Sequence, residues 1–187
     1  QAQQFTEGLV AVNHVSNAIN ASLDTEVILQ QICTVARSLA NASSAAIFLK
    51  SDETMVFEPV YSINLSGDVQ SGLAASVVQA HDRWNDLLHA PNLNSINAAH
   101  DDEELAWLVR LVEPDAIRSM TITPFVSVRS MVNEHTLSPA RDVIGFQMVF
   151  YHAPHTSGEN EQHLLRMLAS QAAVAIENAN LFGETQN

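Results

Sequence analysis

The chain carries EQHLLRMLASQAAVAIENANLF at residues 161–182, a run that has no Gly or Pro and is rich in Ala and Leu. Such a composition favours a long α-helix. Apolar residues recur along it at alternating three- and four-residue steps, which is the period of a coiled-coil seam. Two interpretations stay open: one broad stripe packs on the protein's own core, or one side packs on the core and the other on a second protomer. The seam residues are Leu165, Leu168, Ala172, Ala175, Ala179 and Phe182.

Two more helices are predicted nearer the amino end. The first covers roughly residues 1–21, whose apolar residues repeat at helical spacing. The second follows an N-cap at Ser22 or Asp24. Their apolar stripes are Phe5, Leu9, Val12 and Ile19 in the first helix, and Ile28, Ile32, Val35 and Leu39 in the second.

Between these helices the periodicity changes to that of β-strands. Residues 45–49 form a short apolar run and residues 55–63 alternate loosely, which predicts a hairpin. Residues 120–128 and 144–150 alternate apolar and polar positions and predict two more strands. Their connection, residues 129–142, is polar and long for a hairpin, so we expect a mobile loop. One face of the last strand is predicted to carry Ile144, Phe146, Met148 and Phe150.

The charge balance argues against binding to nucleic acids or membranes. Eight Lys and Arg residues stand against 21 Asp and Glu residues, for a formal net charge of -13. A surface of this kind repels phosphate backbones and anionic lipids. No apolar run approaches the ~20 residues that a membrane-spanning helix needs. We expect a cytoplasmic protein, and because the first residue is Gln, a fragment of a longer one.

Four segments together resemble one family in their order and spacing. They are SLDTEVILQQICTVARSLANASSAAIFL (residues 22–49), IRSMTITPF (117–125), DVIGFQMVF (142–150) and LLRMLASQAAVAIENANLF (164–182). The first is similar to a helix that runs into a strand, and the last to a closing helix. This arrangement resembles the GAF domain, a sensory module with a fold related to PAS.

The resemblance implies an α+β fold, an α/β/α-type sandwich over residues 1–187 as a single domain. A central antiparallel sheet would carry the terminal helices (roughly 1–21 and 161–187) on one face. A helical insertion, residues 64–116, would cover the other. The implied role is sensory and regulatory in signal transduction, without enzyme activity.

The same resemblance implies how such a domain would work. It would bind a small molecule and relay the change, through terminal helices paired in a homodimer, to an effector domain in the same full-length chain, of the histidine kinase or cyclase type. The alternative is a degenerate GAF domain that acts only as a dimerisation or interaction scaffold. The expected dimer contacts are Phe5, Leu9, Val12, Leu168, Ala172, Ala175 and Ala179.

The insertion contains both tryptophans, Trp84 and Trp107. Indole rings suit a ligand lid because they bury apolar area while the N–H orients a polar group. They suit equally well an anchor that holds the insertion to the sheet. Alternation alone cannot assign the apolar strand residues to the core or to the floor of a pocket. The predicted ligand contacts are Trp84, His100, Trp107, Met120, Ile122, Phe146 and Met148.

The ligand signatures of the family are largely missing. Bilin-binding members attach the pigment through a cysteine in the insertion, whereas the one cysteine here, Cys33, lies in the second helix and reads as a core residue. Covalent bilin is therefore disfavoured. Cyclic nucleotides are disfavoured because the Asn-Lys-Phe…Asp-Glu signature is lacking, and a sulfoxide-reductase disulfide needs more than one cysteine.

Metal, haem and catalytic chemistry find little support. His81, His89 and His100 lie near several acids, but spacings of eight and eleven match no compact metal motif. A polar loop accounts for them, with His100 as an axial haem ligand kept as an alternative. The acids at 101–104 are explained by the positive end of a helix dipole. No nucleophile elbow, phosphate loop or HExxH motif occurs.

Overall fold

The fold is the predicted α+β sandwich. The structure, a computed structural model, describes residues 6, 8–10, 24–89, 95–97, 105–127 and 142–186; for 95–97 and 180–186 it describes the backbone alone. The elements in chain order are α1 (Thr25–Leu39), β1 (Ser44–Lys50), β2 (Phe57–Ile63), α2 (Gly67–Gln79), α3 (His81–Leu88), β3 (Ser95–Asn97), α4 (Ala106–Val112), a 3-10 turn (Glu113–Asp115), β4 (Ser119–Val126), β5 (Val143–Tyr151) and α5 (Glu159–Gln186).

A single antiparallel sheet divides the molecule into two layers. Its five strands run in the order β2-β1-β5-β4-β3, so β5 lies in the centre between β1 and β4. Phe48 of β1 is paired with Phe146 of β5. Successive side chains of a strand point to opposite faces, so β5 contacts both layers.

The helices α1 and α5 cover one face of the sheet. α1 begins where the Asp24 side chain accepts a hydrogen bond from the Glu26 N–H (3.1 Å), satisfying an otherwise unpaired amide. α5 begins at Glu159, slightly before the predicted helix. Among the described residues, none of the helices has the length and hydropathy to span a membrane. The core under α1 and α5, here the helix-face core, includes Ile28, Ile32, Cys33, Ile47, Phe125, Val149, Leu165 and Leu168.

Three helices, α2 to α4, cover the opposite face and are called the roof below. α2 begins at Ser66, whose hydroxyl accepts a hydrogen bond from the Val69 N–H (3.3 Å). The sequence predicted a helical insertion, and its described residues contain these three helices. The core between roof and sheet, here the roof-face core, includes Phe48, Phe57, Val69, Leu73, Trp84, Leu88, Leu108, Met120, Ile122, Phe146 and Met148.

One sequence expectation about the last strand is wrong, and the one about the loop before it cannot be compared with the structure. Ile144 was expected beside Phe146, but it packs against the helix-face core. The pairing of β4 with β5 shifts register between Phe125 and Val126, and the extra residue reverses the alternation at the start of β5. The loop expected at residues 129–142 lies, apart from Asp142, outside the described residues.

Gly145 permits the close approach of β5 to β1. A Cβ at this position would collide with the Phe48 carbonyl oxygen and lie 2.8 Å from Leu49 Cδ2. The Gly145→Ala substitution is expected to lower the free energy of unfolding by about 1–3 kcal/mol, because the obstacle is backbone and cannot rotate away. Urea denaturation measures this. Gly158→Ala is the matched control, since a Cβ there meets nothing within 4 Å. Equal losses in both variants would contradict the prediction.

Candidate ligand-binding site

An aromatic column runs from the roof to the sheet. Trp107 of α4 meets Trp84 of α3 edge to face, with ring centroids 5.5 Å apart. Trp84 stacks on Phe146 at 4.9 Å, and Phe146 stacks on Phe48 at 4.9 Å with an interplanar angle of 7°. Phe57 closes the column edge-on against Phe146. Offset stacking and edge contacts of this kind are favourable beyond the area they bury.

Trp84 is held by the roof as well as by the sheet. Its side chain is fully buried, and its indole Nε1–H donates to the Ser76 hydroxyl at 3.1 Å. That hydroxyl donates in turn to the Leu73 carbonyl at 2.6 Å. The polar tip of Trp84 is therefore satisfied within the chain.

The structure brings most of the predicted ligand contacts together in the roof-face core. Met120, Ile122, Phe146 and Met148 are each at most 1% exposed and belong to the same core cluster as Trp84. They fill the space between roof and sheet in the chain as it stands. His100 lies outside the described residues. The assignment of these side chains to a ligand stays a prediction.

A groove of about 800 Å³ opens on the solvent side of the roof, between α2, α3 and α4. Of the predicted ligand contacts that the structure describes, Trp107 alone lines it. The groove also receives Gln79 and Arg83, which the sequence did not single out, and His81 and Asp82, which the sequence raised only as candidate metal ligands. The crossing of the helices brings this stretch to Trp107 of α4.

Two polar side chains of this groove are incompletely engaged. The Arg83 guanidinium lies over the Trp107 ring, 5.9 Å from its centroid. His81 Nε2 is 3.0 Å from the Asn85 amide nitrogen, whereas His81 Nδ1 is buried and has no hydrogen-bond partner among the residues that the structure describes. Arg83 was overlooked because nothing in its sequence surroundings forms a motif.

The histidines in the described part of the chain form no common site. His81 begins α3 and His89 follows its last residue, so the two lie about 12 Å apart along the helix. The described residues contain no group of three or more His, Cys, Asp or Glu that could hold a metal ion. His155 pairs with Glu161 at 3.0 Å near the start of α5.

Cys33 lies on the far side of the sheet from the roof. It belongs to the helix-face core and is fully buried. Burial, partly offset by the charge of Arg37, raises the pKa of the Cys33 thiol to about 12. Because the thiolate is the nucleophile, such a thiol is unreactive at neutral pH, as the core interpretation expects.

The predicted dimer contacts of α5 face the interior of the chain. Leu168 and Ala172 are fully buried in the helix-face core, and Ala175 and Ala179 are 5% and 7% exposed. Leu9 packs against the same core, while Phe5 and Val12 lie outside the described residues. On the outward side of α5 the described apolar residue is Val174, which is 37% exposed.

Solved structures of low sequence identity share this fold. One is a domain assigned to a two-component sensor histidine kinase of Sinorhizobium meliloti 1021, with 18% identity and a TM-score of 0.60, covering 87% of this chain and 97% of that chain. Another is the GAF domain of an Acinetobacter phosphoenolpyruvate-protein phosphotransferase, with 15% identity and a TM-score of 0.61, covering 92% and 94%. A third is the phycoerythrobilin-bound GAF domain of a cyanobacterial phytochrome, with 12% identity and a TM-score of 0.64, covering 94% and 97%.

These identities establish likeness of fold alone. Comparison with curated protein sequences finds no significant match. The family model for the GAF domain matches residues 24–176, from the start of α1 to well inside α5. Because that match takes in both layers and every strand of the sheet, the chain belongs to the GAF domain family.

Proposed function

We propose that the chain is the sensory, non-catalytic module of a larger signalling protein of the histidine kinase or cyclase type. A small molecule binds at the roof, and the change passes through the sheet to terminal helices that pair in a homodimer. The observation that carries this proposal is the aromatic column, which joins Trp107 at the groove to Phe146 of the central strand. An effector in the same full-length chain would receive the signal.

The central strand offers a short route between the two layers. Phe146 and Met148 of β5 point into the roof-face core. Between them, Gln147 points to the other face, where its Nε2 donates to the Leu165 carbonyl of α5 at 3.3 Å. A shift of Trp84 against Phe146 would therefore reach α5 through adjacent residues of one strand. Packed layers respond to such shifts by changing between discrete arrangements.

A second tie joins the end of β5 to the start of α5. The Tyr151 hydroxyl donates to Glu161 Oε1 at 2.7 Å, and the His155 ring stacks on Tyr151. Burial and the neighbouring Glu161 carboxylate raise the pKa of Tyr151 well above its usual range, so the phenol remains a donor. The base of α5 is thus held to the strand that the column contacts.

The similar structures support a signalling role but leave the ligand open. One comes from a protein assigned as a sensor histidine kinase, and another binds phycoerythrobilin. Covalent bilin stays disfavoured here, because Cys33 lies across the sheet from the roof. Cyclic nucleotides stay disfavoured for want of their signature, and haem at His100 stays the alternative cofactor.

The scaffold alternative also has a specific observation in its favour. The predicted pocket between roof and sheet is occupied by the chain's own Trp84, Met120, Ile122, Phe146 and Met148, all at most 1% exposed. A domain that only dimerises would have no need to open this space. A ligand screen therefore decides between the two functions.

In a thermal-shift screen with cyclic nucleotides, amino acids, carboxylic acids, metal ions and haem, at least one compound is expected to raise the melting temperature. A ligand at 100 times its Kd stabilises the folded state by about 2.7 kcal/mol. Trp107→Ala is expected to abolish that shift, since Trp107 lies at the groove. Absence of a shift with every compound would favour the scaffold.

The homodimer can be tested with variants of α5. We propose that the partner helix packs on its outward side, because Ala172 and Leu168 are fully buried within the chain. In sedimentation velocity the wild type is expected to be a dimer, and Val174→Glu a monomer with an unchanged circular dichroism spectrum. Ala172→Glu is expected to unfold the domain, because it buries a charge without a partner.

The matched control for Val174→Glu is Val60→Glu on β2. Val60 is 39% exposed, close to the 37% of Val174, and lies away from the terminal helices. This variant should remain dimeric. A monomeric wild type would refute the dimer relay, and dissociation of the Val60→Glu variant as well would mean that added charge, not the α5 contact, separates the protomers.

A further inference from the structure

We propose that the groove on the solvent side of the roof binds a small aromatic monocarboxylate. Its ring would lie against Trp107, and its carboxylate would bond to Arg83 and His81. This inference rests on the proposed function and gives it a binding site and a ligand class. It differs from the pocket expected between roof and sheet, which is filled by side chains.

The dimensions of the groove suit a small organic molecule. Its volume of about 800 Å³ lies within the usual range for ligand sites, roughly 300–1,000 Å³. The lining combines apolar surface with a few convergent polar groups, as such sites generally do. The apolar lining residues include Gly72, Ala75, Val78, Trp107 and Leu111.

Arg83 is a cation without a carboxylate partner in the described part of the chain. Its side chain is distinguished from the other described arginines by its place in the groove. The guanidinium carbon lies over the Trp107 ring, 5.9 Å from the centroid, within reach of a cation–π contact. The guanidinium fork can bind a carboxylate through two parallel hydrogen bonds, which a lysine cannot do.

His81 supplies a second donor. The Asn85 amide nitrogen can only donate, so His81 Nε2, 3.0 Å away, accepts, and the neutral ring carries its proton on Nδ1. That Nδ1 is buried and has no acceptor among the described residues. A buried donor without a partner is costly, and a ligand oxygen that reached it after a small rearrangement of the groove would remove the cost.

Asp82 limits the charge of the ligand. Its carboxylate also lines the groove, next to Arg83 in the chain. Asp82 repels every negative charge on the ligand, so one carboxylate, offset by the Arg83 guanidinium, is tolerated better than two. The neighbouring Gln79 amide can bond to a polar substituent on the ring.

A ring bound against Trp107 would also contact the proposed relay. Trp107 touches Trp84 edge to face, and Trp84 stacks on Phe146. Occupation of the groove would therefore act on the outer end of the aromatic column. Both tryptophans of the chain lie in this column, so their fluorescence reports binding.

The test titrates benzoate and indole-3-acetate into the protein, followed by calorimetry and tryptophan fluorescence. The matched neutral probes are benzamide and indole-3-acetamide. Each acid is expected to bind about tenfold or more tightly than its amide, because a charge-assisted bidentate pair is lost in the amide. Equal affinity for acid and amide overturns the proposal.

Arg83→Met is expected to remove the preference for the acid, and His81→Phe to weaken acid binding about tenfold. Arg110→Met is the control, since Arg110 is exposed on α4 and does not line the groove. Retained preference in Arg83→Met, or an equal loss in Arg110→Met, overturns the proposal. Melting temperatures check that each variant is folded.

The outcome is separable from that of the ligand screen. If another compound stabilises the protein while the acids do not bind, the sensory function stands and the groove assignment falls. If neither the acids nor any screened compound binds, both fall and the scaffold function remains.

Discussion

The rest of the structure depends on the pairing of β5 with β1, because both layers pack on these strands. Phe48 and Phe146 are paired across these strands and their rings stack on each other. Trp84 of the roof stacks on Phe146. Gly145 lets the two backbones approach, since any Cβ there would meet the Phe48 carbonyl. The opposite face of the same strands holds α1 and α5. Because both faces of the sheet are packed, a displacement of these strands would change contacts in both layers.

This constraint is the physical basis of the proposed relay. The roof touches the sheet through stacked rings, and α5 is joined to it by hydrogen bonds from Gln147 and Tyr151. Gln147 is 1% exposed, and its Oε1 has no partner in the described residues. An unpaired oxygen at this depth is costly. In the proposed relay, a second arrangement of α5 that supplied a donor would recover that cost.

The architecture could be predicted from the sequence, but the groove in the roof could not. The alternation in β4 and β5 predicted strands, and the Ala- and Leu-rich run predicted α5. The exception, Ile144, lies at a register shift that alternation cannot reveal. The groove combines Gln79 of α2, Arg83 of α3 and Trp107 of α4. Their meeting depends on how short helices cross, and propensity carries no information on that.

The sequence by itself indicated the family, through the resemblance of four segments. It also determined most of the elements and which side of each is apolar, because these follow from local periodicity and composition. Only the tertiary structure decided what covers each apolar side. The heptad-like seam of α5 is satisfied inside one chain, where Leu168 and Ala172 are fully buried. Trp84 lies in the core, whereas Trp107 borders a groove. A periodic stripe looks the same whether the surface opposite belongs to the same chain, a second copy or a ligand.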